Sequence, residues 1–172
     1  MQEQVYPVEL FHEVAAGCRL AVLCNINFSR PLLALARQRG MAVSTDVHAI
    51  ADLDDPYNAD FMAAADILFM SHERLPAPPQ EWAGAVSARY GNRIVVIGLG
   101  ADGALLAVKG ETPQRVPAAV TRSVVNTIGA GDALFSAFLH FYMQTGDPYL
   151  AIRKAVVFAS YKVGAAGAAE GF

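Results

Sequence analysis

Four short apolar runs constrain this chain more than any other feature. Leu20–Cys24, Met41–Val47, Asp66–Met70 and Ile94–Ile97 are too short for ordinary helices and too continuous for strands with one wet face. Between them lie stretches with helical spacing. Val8, Leu10, Phe11 and Val14 follow Pro7. Leu32, Leu33, Leu35 and Ala36 lie between a candidate cap, Ser29, and a candidate stop, Gly40, with Arg37 and Arg39 near the C-terminal end. A short helix through Phe61 and Met62 follows the polar loop His48–Asn58, and another through Trp82 and Val86 follows the Pro-rich turn Pro76–Pro79. Apolar strands alternating with helices predict an α/β fold, a parallel sheet covered on both faces.

The pattern then changes. Ala104–Val108 and Thr112–Val116 flank the turn Lys109–Glu111 and predict a hairpin appended to the sheet. Ala130–Thr145 is apolar nearly all round, and Tyr149–Val163 carries Ala and Val at close spacing, so both are expected to be largely buried helices.

Composition narrows the function classes. With 17% charged and 54% hydrophobic residues in 172, the chain is too apolar to be disordered. A single domain over residues 1–172 is expected, burying about 70% of its unfolded surface without a metal or disulfide staple. A net charge of −3 and no run of Lys or Arg argue against a nucleic-acid partner. The longest uncharged stretch, Ala133–Gly146, contains His140 and Gln144 and falls short of the ~18 apolar residues a membrane span needs. Glu3, Glu9 and Glu13 occupy the place of a signal peptide's basic and apolar segments. Cys18 and Cys24 match no zinc spacing and are expected as small buried residues at strand positions, which with the missing export signal suggests a reducing cytoplasm. His12, His48, His72 and His140 are too scattered to form a local ligand pair.

Two glycine motifs carry the chemistry. Gly98-Leu99-Gly100-Ala101-Asp102-Gly103 satisfies GxGxxG after a strand, but a dinucleotide fingerprint needs a helix to start at the glycines, and the strand-like Ala104–Val108 follows instead. A tight turn that lets backbone approach a ligand is the better reading. Asn126-Thr127-Ile128-Gly129-Ala130-Gly131-Asp132 opens directly into the apolar helix. Small residues at a helix start leave N–H groups open to an anion such as a phosphoryl group. Gly129, Ala130 and Gly131 are then candidate anion-hole donors, and Asp132 a candidate base for a substrate hydroxyl. From spacing alone, an acidic residue favoured by the helix dipole explains Asp132 equally well.

Taken together, the strand and loop around Asp46, the segment Ala65–Ser71, the Ile97–Gly103 turn and the Asn126–Asp132 motif resemble, in order, blocks of the C-terminal half of a ribokinase-like, PfkB-type carbohydrate kinase. The resemblance covers most of the chain, and Gly129–Asp132 is its strongest piece. It implies a three-layer α/β/α fold with a mainly parallel sheet, here without the family's N-terminal strands and lid. It implies Asp132 as catalytic base and Gly129, Ala130 and Gly131 as anion hole. Gly98, Gly100, Gly103 and Thr127 would line the nucleotide, with Ala155 and Val156 matching the adenine-side wall. ATP and Mg²⁺ are the implied cofactors, no metal ligand is assigned, and the position of Asn126 is associated with a monovalent-cation loop.

The implied reaction is transfer of the ATP γ-phosphoryl group to a hydroxyl of a sugar or nucleoside, with a homo-oligomer or an N-terminal partner segment as candidate protein partners. The chain departs from the family at Asn126, where an Asp is usual, and at Ser71-His72-Glu73-Arg74, where an Asn-x-x-Glu is usual. With the missing N-terminal part, these departures motivate an alternative: a truncated, non-catalytic nucleotide-binding or interaction module.

Overall fold

Among the described residues, six strands stand in one sheet in the order in which the chain makes them. They are β1 (Leu20–Val22), β2 (Ala42–Asp46), β3 (Ile67–Ser71), β4 (Ile94–Gly98), β5 (Ala104–Val108) and β6 (Gln114–Val116). The structure is a computed structural model that describes residues 6–168. Strands β1 to β4 run parallel, whereas β5 and β6 are antiparallel to their neighbours, with Gly98 of β4 opposite Ala104 of β5. The sheet is mostly parallel, as the apolar runs predict.

Parallel neighbours require crossovers, and helices supply them: α2 (Arg30–Gln38), α3 (Ala59–Ala64) and α4 (Pro79–Tyr90), preceded by α1 (Val8–Val14). Crossovers of one hand that all step the same way along a sheet fall on one face. Phe11 of α1, Leu32, Leu33 and Ala36 of α2, Phe61 and Met62 of α3, and Trp82, Ala83 and Val86 of α4 accordingly share one cluster with Leu68, Met70, Val95, Ile97 and Leu105. The alternate strand residues Ile67, Phe69, Ile94, Val96 and Leu106 point to the opposite face, against α5 (Ala130–Thr145) and α6 (Pro148–Val163). Central strands covered on both faces have no polar face to show, so their sequences do not alternate.

Local chemistry sets the ends of α5 and α6. Gly146 stops α5 at φ 69°, and the Asp147 side chain caps α6 by accepting from the N–H groups of Tyr149 and Leu150. The expected burial holds for Leu134, Phe135, Phe138 and Leu139 of α5. It fails for the outer face of α6, where Val157 and Tyr161 are exposed, because that helix packs on the sheet and on α5 but has, among the described residues, no further layer outside it.

Three other expectations change. Ser29 does not cap α2: it lies in a 3₁₀ turn, Asn27–Ser29, and its hydroxyl donates to the carbonyls of Cys24 and Ile26 at 2.8 Å each. Cys18 is exposed in the turn before β1, its Sγ 3.7 Å from the Val14 carbonyl, and Cys24 is half-buried just beyond β1. β1 is shorter than its apolar run, because the Ile26 N–H turns back onto the Cys24 carbonyl. Among the described residues no helix is long and apolar enough to cross a membrane.

Candidate active site

The four parallel strands end on one side of the sheet, placing Cys24, Asp46, Ser71 and Gly98 in sequence along its carboxyl edge. This is where ligands settle in open α/β sheets. Strand spacing of ~4.8 Å puts Gly98 about 10 Å along that edge from Asp46.

The start of α5 meets the same edge. Gly129 adopts φ 83°, and a Cβ there would lie 2.6 Å from the Ala168 carbonyl oxygen, so the turn needs glycine. Asn126 shapes the approach: its Oδ1 accepts the Ile128 N–H at 2.9 Å. The Ala130 N–H donates to the Thr127 carbonyl at 3.1 Å, and the Ala133 N–H to the Gly129 carbonyl at 2.9 Å. Of the three expected anion-hole residues, Ala130 therefore has its donor engaged within the turn. The N–H groups of Gly129, Gly131 and Asp132 donate to nothing among the described residues, and the space where a Gly131 Cβ would sit is open. Such donors at the positive end of a 16-residue helix suit an anion.

Asp132 is exposed in the first turn of α5, and among the described residues its carboxyl makes no hydrogen bond or ion pair. Its charge reaches two groups that sequence reasoning left outside the site. Burial pushes the Asp46 carboxyl above the usual carboxylate range, and the nearby Asp132 adds to the shift, against the opposing His48 N–H bond at 2.8 Å and the His48 ring. Burial likewise pushes the Cys24 thiol up, with Asp46 and Asp132 adding to it against a backbone hydrogen bond at Asp46. A thiol held protonated is a poor nucleophile. The sequence marked Asp46 by its place at the end of an apolar run and within one block of the family resemblance, and gave it no role. His48, which follows, takes φ 57°, the one positive φ among the described non-glycine residues.

The second glycine motif forms the β4–β5 turn. A 3₁₀ turn, Gly100–Asp102, leads into β5 and no helix begins there, which removes the dinucleotide reading. At Gly103 (φ 92°) a Cβ would lie 2.1 Å from the Val116 carbonyl, so β6 backbone takes the space. His72 ties the turn to β3: its N–H donates to the Gly98 carbonyl at 3.0 Å, and its Nδ1 lies 2.9 Å from the same oxygen. Thr127 is exposed beside the α5 turn. Val156 sits with Ala155 in the core under α5 and α6, and the residue presented to solvent there is Val157.

The residues present fit a nucleotide, because open N–H donors and glycine turns share the carboxyl edge. Among the described residues no group of three or more His, Cys, Asp or Glu could hold a metal ion by itself. A Mg²⁺ here would enter on its nucleotide's phosphates, which suits an ion that usually takes one or two carboxylates and keeps its waters.

Comparison with known proteins bears on the fold and the family. The profile of the pfkB family carbohydrate kinases matches residues 33–172. An ATP-dependent ribose-1-phosphate kinase from Halopiger xanaduensis is 31% identical over 133 residues, 77% of this chain and 44% of that protein. The structure of a microbiome-derived acarbose kinase superposes with a TM-score of 0.88 at 29% identity, covering 97% of this chain and 56% of that one. A fructokinase from Vibrio cholerae bound to fructose, ADP and a potassium ion shares the fold, with a TM-score of 0.71 at 24% identity over 90% of this chain and 57% of its own. The chain spans about half the length of these proteins. With its profile match and its fold, it belongs to the pfkB family of carbohydrate kinases.

Proposed function

We propose that this chain is the C-terminal, nucleotide-facing and catalytic portion of a kinase that transfers the γ-phosphoryl group of ATP to a hydroxyl of a sugar or nucleoside. The observation that carries the reading is the exposed Asp132 beside the open N–H groups of Gly129 and Gly131 at the carboxyl edge of the sheet. In this reading Asp132 orients the acceptor hydroxyl and takes its proton as the O–P bond forms. The open N–H groups accept the charge on the moving phosphoryl group without having to reorganise. Gly98, Gly100 and Gly103, with Thr127, line the nucleotide from the other side, and the buried Val156 supports the adenine side from beneath. Mg²⁺ supplies charge neutralisation on the phosphates. The two unpaired cysteines suit a cytoplasmic setting.

Calorimetric titration with ATP and Mg²⁺ tests the site, and Asp132→Asn tests the role. The variant should keep its fold and its ATP affinity while phosphoryl transfer falls by about 10²–10⁴. Full transfer by Asp132→Asn would remove the base assignment. Saturable ATP binding without transfer to any sugar or nucleoside would favour the binding-module alternative.

A further inference from the structure

Lys162 lies in the last turn of α6 with none of its surface exposed. Its Nζ donates to the main-chain oxygen of Asn126 at 3.1 Å, and among the described residues no carboxylate pairs with it. A buried ammonium without a counter-ion is costly, so it needs oxygen dipoles to offset that cost. The Asn126 carbonyl supplies one. The N–H groups of Val125 and Asn126 donate to the Val163 carbonyl at 2.7 and 3.1 Å, and the Ala165 N–H donates to the Lys162 carbonyl at 3.0 Å. The segment after α6 and the turn that carries Gly129 are therefore one unit, with the Lys162 charge inside it.

The potassium held by the Vibrio cholerae fructokinase raises the question of whether this turn could take a free monovalent cation. Its residues do not fit one. The Oδ1 of Asn126 is occupied by the Ile128 N–H, which fixes the amide so that its Nδ2 donates to the Ala166 carbonyl at 2.6 Å. That side chain presents no free oxygen, the Ala166 carbonyl is already capped, and the main-chain oxygen of Asn126 belongs to Lys162. A carboxylate at this position would set two oxygens against each other and call for a cation between them, whereas the amide makes a hydrogen bond of the same approach.

We propose that the Lys162 ammonium is the resident cation of the Gly129 turn, so that anion binding at the start of α5 needs no potassium. The proposal rests on the reading that this turn binds the phosphates of a nucleotide. Lys162 touches neither phosphate nor acceptor; it positions the turn and supplies charge through the Asn126 carbonyl.

The test compares ATP–Mg²⁺ titrations and apo-protein melting in potassium chloride and in tetramethylammonium chloride of equal ionic strength. Lys162→Gln keeps a donor for the Asn126 oxygen and removes only the charge; Lys162→Met removes both. Wild-type affinity should agree within about twofold between the salts, whereas Lys162→Gln should lose about tenfold or more in tetramethylammonium and recover part of it in potassium. Dependence of the wild type on potassium overturns the proposal, as does wild-type affinity of both variants in tetramethylammonium. If the folded wild type binds no ATP in either salt, the kinase reading fails, and melting decides the inference separately. A rise in melting temperature with potassium in Lys162→Gln and not in wild type supports the built-in cation, and an equal response in both overturns it.

Discussion

Asp46 is a carboxylate whose burial costs the fold. Burial, and then the neighbouring Asp132, hold its carboxyl above the usual range, with His48 opposing. The folded chain therefore keeps this proton at pH values where the unfolded chain has released it. Stability from this group is full below the ordinary carboxyl pKa of ~3.9 and is lost as pH rises through the raised folded value. Asp46→Asn retains an oxygen for the His48 N–H and removes the ionisation. The variant should therefore melt above wild type at neutral and alkaline pH, and the difference should shrink as pH falls toward about 4. Melting curves across that range check the sign; a variant that is less stable at neutral pH, or a gap that widens on acidification, would overturn it. If Asp46 also tempers the charge beside Asp132, the same variant will alter the pH profile of any transfer.

At the scale of elements, the start of α5 is only as well placed as α5 itself. Phe138, fully buried, meets Phe69 of β3 with ring centroids 5.3 Å apart and stacks on Tyr142 at 5.8 Å. Phe138→Ala should cost about 3–5 kcal/mol, a large share of the ~5–15 kcal/mol a domain commonly has. Asp147→Ala removes the cap of α6 and should cost only about 1 kcal/mol. Urea unfolding of both variants measures the ranking, and equal losses would show that packing of α5 on the sheet is not what anchors the site. The elements themselves were legible in the sequence, because a strand buried on both faces must be a short unbroken apolar run. The Gly129 turn was legible for a similar reason, since only small residues allow its backbone path. What sequence could not show is what non-local contacts decide. The Ser29 hydroxyl had two carbonyls of a preceding turn to donate to, and so left α2 uncapped. The approach of Asp46 and Cys24 to Asp132 depends on where α5 crosses the sheet, and no spacing within the chain encodes that crossing.

For the whole molecule, the uneven covering of the sheet matters most. α5 and α6 shield one face over β3 to β5, while at the far end, among the described residues, β1 pairs with β2 alone. Val22, on that strand, is 49% exposed, as is Ile26 just beyond it. An edge strand with unpaired backbone groups and an exposed apolar side chain is a template for pairing with another chain, and its three-residue length blunts that tendency without removing it. The isolated chain should therefore associate in a concentration-dependent way, and Val22→Lys should suppress this by placing a charge on the edge. Because Val22 is half in water, the substitution should change stability by no more than about 0.5 kcal/mol. Val124→Lys is a suitable control, since Val124 is 68% exposed but lies outside every strand. Sedimentation velocity over a range of concentrations separates the cases. Association lost with Val22→Lys and kept with Val124→Lys assigns it to the β1 edge. Equal loss in both variants points to general charge repulsion, and a wild type that sediments as one species at every concentration shows that the short edge already protects itself.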